Sequence, residues 1–287
     1  MNMLAHSNRI TLCVKTIFIV SLVSCILSGC KNNNNEPTPD IAVANSYLSA
    51  VVKDLCGNQQ QVFDLVPPGM CPGHFDISPS QVNLLCNCKI LFVFDFQKNI
   101  EKAIPRIKER GLKVSTVKSE SGMCVPETYL STARQVATAL SEQKPLQKKH
   151  YESRLIEIEQ RLNTLSENIV KRINKSELRG TKVITSGRQA EFAKWLGLDY
   201  VSTFAGRDTV TPAQIDQYLQ AARESQIKIV IANKQEGTEM AETLADHLNV
   251  KCVVFSNFPG NDKQHTAVAG YDHLVTENIN RLIEAMQ

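Results

Sequence analysis

The stretch from Leu146 to Lys175 contains neither glycine nor proline over thirty residues, and no other feature restricts the fold as strongly. Apolar residues recur within it at the three- and four-residue spacing of one helical face: Leu155, Ile158, Leu162, Leu165 and Ile169. At 3.6 residues per turn, the pattern predicts one helix of about eight turns. Such a helix is long enough to run along two neighbouring lobes and to join them.

On both sides of this stretch, short β-branched segments alternate with longer amphipathic ones. Strands are predicted at 41–45, 61–66, 90–94, 112–117, 183–186, 227–232 and 252–256. Helices are predicted from 46 and 80, over 99–110, 189–196, 212–225 and 238–248, and from about 267. This alternation is typical of βαβ units on parallel sheets. We therefore predict an α/β protein with two Rossmann-like lobes, at 41–144 and 179–287, joined by a helix within 145–178.

The first thirty residues have the features of a bacterial lipoprotein signal. A basic segment precedes an apolar run over 16–27, and a Ser-Gly pair then leads to Cys30. The run is shorter than the roughly 20 residues that span a bilayer, so a cleaved signal peptide at 1–29 is predicted. Cys30 would carry the lipid and 30–40 would form a polar tether, a chance cysteine being the alternative. The protein would be exported and anchored to a bacterial membrane, in the periplasm or at the cell surface.

The net charge argues against a nucleic-acid partner, and the cysteines are consistent either with disulfides or with a metal site. The net charge of +3 falls close to zero once the signal, with Arg9 and Lys15, is removed, so nucleic acid is not an expected partner. Of nine cysteines, six remain after the signal and the lipidated residue: Cys56, Cys71, Cys86, Cys88, Cys124 and Cys252. In an exported protein these residues are consistent either with disulfides or with a soft metal site.

Three groups of residues share the order and spacing of one known family. They are Pro67-Pro68-Gly69 with Pro72, Phe75, Asp76 and Pro79-Ser80, then Thr185-Ser186, and finally Tyr271 with Asn278. With the long helix and the lipoprotein signal, they resemble the cluster A-I solute-binding proteins of zinc and manganese ABC importers. The resemblance implies a cleft between the lobes and delivery of cargo to a permease. Because the sequence has no phosphate-binding loop motif, ATP hydrolysis would belong to a separate subunit, and this chain would be a monomeric binding protein, not an enzyme.

This sequence differs from that family at the positions of the metal ligands. The family usually supplies three histidines and one carboxylate from loops of both lobes. The corresponding places here hold Gly73 with His74 one residue later, Met123 with Cys124, Gly187, and Ser256 or Asn257. On strict correspondence no ligand is retained. Asp76 matches an acidic position of the family and is expected either in the cleft or as a cap of the following turn.

Replacement donors occur in two of these loops, where the tripeptide Gly-Met-Cys is found twice, ending at Cys71 and at Cys124. Thiolate and thioether donors favour soft or borderline ions such as Cu(I) and Zn(II), whereas Mn(II) prefers oxygen and imidazole. We predict a metal site formed by Cys71, His74 and Cys124, with secondary candidates Met70, Met123 and His265. Zinc is the leading ion, and copper and manganese are alternatives. A disulfide between Cys71 and Cys124 is the competing interpretation.

A cargo larger than a bare ion is the alternative, because glycine stands at 187 where the resemblance implies a histidine and leaves room there. Arg188 follows directly, and arginine can bind a carboxylate with two hydrogen bonds, although a solvated arginine is equally expected. The predicted cleft residues are Asp76, Gly187, Arg188 and Asn257. The leading hypothesis is a lipoprotein that captures a transition-metal ion for an ABC importer. The alternatives are the same role for a metal chelate or small anion, and a metal-binding adhesin or buffering lipoprotein.

Overall fold

The computed structural model describes residues 39–57, 60–67, 77–98, 100, 105–109, 111–206, 210–260 and 270–287. The predicted signal peptide, the lipidation site Cys30 and nearly all of the predicted tether lie outside these residues. By the density of its internal contacts, Thr38–Gln287 is one compact unit. Among the described residues, no helix combines the length and the apolar character that crossing a bilayer requires.

The first four strands form a parallel sheet. They are β1 (Ile41–Val43), β2 (Val62–Asp64), β3 (Ile90–Phe94) and β4 (Lys113–Val117), and their order across the sheet is β2-β1-β3-β4. The central strands β1 and β3 are entirely apolar and buried, as expected for a parallel sheet covered on both faces. The helices of this part are α1 (Ser46–Cys56), α2 (Pro79–Leu85), α3 (Pro105–Lys108) and α4 (Pro126–Gln143). We call these strands and helices the first lobe.

The predicted linking helix is present as α5 (Lys148–Lys175), which follows a 3-10 turn at Pro145–Gln147. Its 28 residues extend over about 42 Å at 1.5 Å per residue. One face is buried, through Tyr151, Ile158, Leu162, Ile169 and Ile173. These side chains belong to one hydrophobic cluster that also contains Phe92 of β3 and Val183 near the start of the next strand. The core is therefore continuous from the first sheet through α5 to the second sheet.

The last four strands repeat the arrangement of the first sheet. They are β5 (Lys182–Ser186), β6 (Asp199–Phe204), β7 (Ile229–Asn233) and β8 (Lys251–Phe255), all parallel, in the order β6-β5-β7-β8. With them come α6 (Ala190–Trp195), α7 (Pro212–Ser225), α8 (Glu239–Leu248) and α9 (Tyr271–Met286). These elements are called the second lobe. The predicted α/β class with two parallel sheets is confirmed, while the lobe boundaries at 144 and 179 stay a prediction.

A single arginine of α5 contacts both lobes. Arg161 donates two hydrogen bonds to the carboxylate of Asp54 in α1, at 3.1 and 2.5 Å, and its Nε lies 3.5 Å from Asp272 Oδ1 in α9. Tyr129 of α4 donates a further hydrogen bond to Asp54 Oδ2 at 2.7 Å. Burial raises the pKa of Asp272, although Arg161 offsets part of this effect. The guanidinium thus compensates two carboxylates that come from different lobes.

The sequence patterns missed two elements. The strand β6 is at the edge of its sheet, and its residues, Asp-Tyr-Val-Ser-Thr-Phe, are mostly half-buried or exposed, so no apolar run marks it. The helix α4 was also missed, because small and hydroxyl-bearing residues such as Ala133 and Thr132 are mixed with the large apolar ones on its buried face and weaken the periodic pattern. The helix predicted over 99–110 is described only as α3. The other strand boundaries agree with the prediction within about three residues.

Candidate functional site

Both sheets carry buried carboxamides at the point where their strand order reverses. Ligands of parallel α/β sheets bind in the crevice at this point, outside the carboxyl ends of the strands. In the first lobe, Asn45 follows β1 and its Nδ2 donates to Gln97 Oε1, just after β3, at 3.2 Å. In the second lobe, Gln189 follows β5 and its Nε2 donates to Asn233 Oδ1, at the end of β7, at 3.1 Å. Neutral amides therefore occupy both places where a ligand is expected.

Cys124 lies at the contact between the lobes and is wholly buried. Its loop follows β4 and ends at Pro126, whose fixed φ suits the first residue of α4. The thiol Sγ donates to the carbonyl oxygen of Ser256 at 3.1 Å and accepts from Asn278 Nδ2 at 3.4 Å. Ser256 follows β8, and Asn278 belongs to α9. One first-lobe side chain is thus bound by two elements of the second lobe.

The environment of Cys124 keeps its thiol protonated. Burial raises the pKa of Cys124 to about 12, and the hydrogen bond from Asn278 offsets only part of this effect. The donation of the S–H group to Ser256 agrees with a neutral thiol. A cation can bind this sulfur only by displacing the proton, so its affinity would fall as the pH falls.

Asn257 connects this thiol to the carboxamides of the second lobe. Its Oδ1 accepts from Gln189 Nε2 at 3.0 Å and lies 3.8 Å from Cys124 Sγ, while its backbone N–H donates to Gln235 Oε1 at 2.9 Å. Gln189 is wholly buried, and its Oε1 has no hydrogen-bond partner among the described residues. Next to the thiol there is therefore a neutral polar cluster with one unused oxygen acceptor.

Two charged side chains near this cluster compensate each other. Arg188 follows Gly187, and its Nε lies 3.4 Å from Glu236 Oε1. Ser186 Oγ donates to the other oxygen of Glu236 at 2.5 Å. The arginine side chain is 73% exposed, so its ion pair contributes little to stability. Arg188 is therefore available to exchange this partner for another anion.

Of the predicted metal ligands, only Cys124 and Met123 lie among the described residues. Met123 is half-buried, and its carbonyl oxygen accepts from Tyr47 OH at 3.0 Å. The other predicted site residues lie outside the described residues: Met70, Cys71, His74, Asp76 and His265. The part of the chain that the structure describes contains no group of three or more His, Cys, Asp or Glu suited to a metal ion.

The described cysteines form no disulfide, although the predicted export allowed disulfides. None of the five described cysteines is in a disulfide, and Cys124 is among them. This is contrary to the alternative of a Cys71–Cys124 disulfide. Cys88 is buried, whereas Cys252 is only half-buried and packs at the margin of a hydrophobic cluster.

Sequence reasoning missed the carboxamides that surround the thiol. It named Asn257 and Asn278, but it did not identify Gln189, which donates to Asn257, or Asn233, which accepts from Gln189. One signal was present, because each of these residues lies at or shortly after the end of a predicted strand. The search for charged or imidazole donors passed over them because amides carry no charge.

Comparison with known proteins places this geometry in one family. The family model described as "ZnuA: Zinc-uptake complex component A periplasmic" matches residues 41–285. The manganese ABC transporter substrate-binding lipoprotein PsaA of Streptococcus mitis is 20% identical, in an alignment that covers 96% of this chain and 98% of PsaA. Among solved structures, ZnuA superposes with a TM-score of 0.69 at 16% identity, covering 86% of this chain and 99% of ZnuA.

A second solved structure has the same fold. The manganese-bound periplasmic metal binding protein of Candidatus Liberibacter asiaticus has a TM-score of 0.72 at 14% identity, covering 86% of this chain and 99% of that chain. At such identities the structural likeness concerns the fold alone. The family match spans most of the sequence, from β1 to α9. The chain therefore belongs to the ZnuA family of substrate-binding proteins of metal ABC transporters, a transport family and not an enzyme family.

Proposed function

We propose that this protein captures a thiophilic transition-metal ion, zinc before copper or manganese, between its lobes and delivers it to the permease of an ABC importer. The observation that carries this proposal is the position of Cys124, whose thiol lies at the contact between the lobes. The protein would be a monomer, anchored outside the cytoplasmic membrane through lipid on Cys30. A separate subunit would hydrolyse ATP.

The proposed ligands are Cys71, His74 and Cys124, with Met70, Met123 and His265 as further donors. Two thiolates would balance the charge of a divalent ion, which a buried site requires because an uncompensated charge is costly there. Sulfur donors favour zinc over manganese, which prefers oxygen and imidazole. This preference separates the proposed cargo from the manganese named for PsaA.

Removing the Cys124 thiol is expected to weaken zinc binding. We expect Cys124→Ala to lower zinc affinity by at least about tenfold, the scale on which changes around metal sites act. Metal analysis of the purified protein and competition titration with a chromophoric chelator measure this. The matched control is Cys252→Ala, which removes a half-buried thiol of β8 that takes no part in the contact. Unchanged zinc affinity in Cys124→Ala would contradict the ligand assignment.

A second cargo is favoured by the space at Gly187. Among the described residues, a Cβ at this position would come within 4 Å only of Phe204 O, at 3.9 Å. This space supports a larger cargo at the place where the resemblance implies a histidine, and the neighbouring Arg188 could exchange its exposed ion pair with Glu236 for an anionic cargo. A metal chelate with carboxylate groups could use this room and this arginine.

Gly187→His distinguishes the two cargoes. If the cargo is a bare ion, the added imidazole is expected to raise zinc affinity, because it supplies a donor at a family position. If the cargo is a chelate, the imidazole fills its space, and the thermal shift produced by zinc citrate is expected to shrink. Gly270→His is the control, since Gly270 is exposed and a Cβ there has no atom of the described residues within 4 Å. Equal responses of both variants would exclude a role for Gly187 in binding.

A further inference from the structure

The connection between α4 and α5 exposes one leucine completely. Leu146 lies in the 3-10 turn Pro145–Gln147, and no residue of this turn is buried. Its relative exposure of 102% is the largest of any large apolar side chain that the structure describes. Single exposed apolar residues are common on protein surfaces, so the surroundings of this leucine decide what it indicates.

Basic residues surround this leucine. Residues 144–150, Lys-Pro-Leu-Gln-Lys-Lys-His, include three lysines and no acidic residue, and we call them the α4–α5 turn. Lys148 and Lys149 are exposed in the first turn of α5, where the helix dipole disfavours cations. The ion pair of Lys148 with Glu152, at 3.9 Å, contributes little because both side chains are mostly exposed. The stability of the helix therefore does not explain these lysines.

The α4–α5 turn lies next to the place where the described chain begins. Lys144 Nζ is 3.6 Å from Asp40 Oδ2, and Asp40 follows the first described residue, Pro39. Cys30, the proposed site of the lipid, precedes Asp40 by ten residues. A chain of this length spans at most about 36 Å. A lipid on Cys30 would therefore keep this turn close to the membrane.

We propose that the α4–α5 turn docks on the anionic phospholipid headgroups of the membrane, with Lys148 and Lys149 against the phosphates and Leu146 in the interfacial layer. Attraction of basic side chains to anionic lipids and burial of apolar ones in the interface are the two forces that hold segments at a bilayer surface. The inference rests on the lipid anchor in the proposed function, and it adds a second contact with the same membrane.

Docking at this turn would orient the first lobe. Asp40 precedes β1, and Lys113, the first residue of β4, forms an ion pair at 3.2 Å with Glu142 near the end of α4. The α4–α5 turn thus lies at the amino edge of the first sheet. Ligands of parallel sheets bind at the carboxyl edge, on the opposite side. In the docked protein that edge points away from the headgroups, toward the source of the cargo.

The test uses the exported protein on vesicles of phosphatidylcholine, with and without phosphatidylglycerol. Hydrogen exchange of the amides at 146–150 is measured in low and high salt, together with the zinc content of each sample. The double variant Lys148→Gln/Lys149→Gln removes two charges from the turn. The matched control Lys171→Gln/Lys175→Gln removes two exposed lysines at the other end of the same helix.

On phosphatidylglycerol in low salt, wild type and the Lys171→Gln/Lys175→Gln control should exchange these amides at least about threefold more slowly than on phosphatidylcholine. High salt should abolish the difference, because it screens the lysines. Lys148→Gln/Lys149→Gln should exchange alike on both lipids. Leu146→Ala should show a smaller slowing than Leu84→Ala, which removes a leucine that is 43% exposed elsewhere in the first lobe.

Equal exchange of wild type on the two lipids overturns the docking, and bound zinc in the same samples then leaves the proposed metal capture standing. Slower exchange without bound zinc supports the docking and contradicts metal capture. Equal losses in the two lysine variants would mean that net charge, and not the turn, attracts the vesicles, which also overturns the docking. The mass of the exported protein shows whether Cys30 carries lipid, and an unlipidated protein overturns the anchor on which the inference rests.

Discussion

Replacing Arg161 by alanine is expected to lower the free energy of unfolding by about 2–3 kcal/mol, somewhat less than the 3–5 kcal/mol typical of a broken buried ion pair. The expected loss is smaller than for a fully buried pair because the Arg161 side chain is 38% exposed. The loss is still large, because Asp54 is only 20% exposed and would keep a carboxylate without its two guanidinium hydrogen bonds. Asp272 would lose its cationic neighbour at the same time. Urea unfolding at neutral pH measures the difference.

The matched control is Arg134→Ala, which removes an ion pair between α4 and α5. Its partner is Glu159, the N–O distance is 3.3 Å, and both side chains are about half exposed. Exposed pairs of this kind contribute about 0–1 kcal/mol, so the control should be nearly neutral. Similar losses in the two variants would show that Arg161 acts as an ordinary surface residue. A loss confined to Arg161→Ala identifies the guanidinium between the lobes as a major source of stability.

Gly122→Ala is expected to destabilise the protein by about 2–4 kcal/mol, through strain and overpacking together. Gly122 has φ of +76°, in the left-handed region that side chains disfavour. An added Cβ would also lie 2.9 Å from Glu191 Cβ in α6 and 3.0 Å from Val125 Cγ2. The loop that carries Cys124 would therefore be pushed away from the second lobe. Thermal and urea unfolding measure the effect.

Gly180→Ala separates the two contributions to this loss. Gly180 has nearly the same φ, +74°, but a Cβ there meets nothing within 4 Å. This control should cost only the backbone term, about 1–2 kcal/mol. The excess of Gly122→Ala over Gly180→Ala then measures how tightly the lobes pack at this loop. No excess would mean that the lobes separate there at little cost.

The fold could be predicted because its strongest patterns are independent of tertiary context. The long helix follows from a periodic apolar face without breakers, and the β3 strand, Ile90–Phe94, follows from five consecutive apolar residues. The strand β6 could not be found in this way, because an edge strand buries little and keeps polar residues such as Ser202 and Thr203. A strand can therefore be predicted from its apolar pattern only when it is buried in the sheet.

The candidate site was predictable only in part. Cys124 was found because a repeated tripeptide drew attention to its loop, and the structure places it at the lobe contact. Its full burial and its bond to Ser256 could not be inferred, since they depend on how two distant segments meet in space. The hydrogen bond between Gln189 and Asn233 likewise could not be predicted, because it forms only when β5 and β7 pair in the sheet.

The core around α5 is continuous between the two lobes. Ile158 and Ile169 of α5 belong to the same apolar cluster as side chains of both sheets, so the lobes share one folding unit. Cys124, at the contact between the lobes, belongs to the same cluster, so a change of this side chain alters the shared core as well as the thiol.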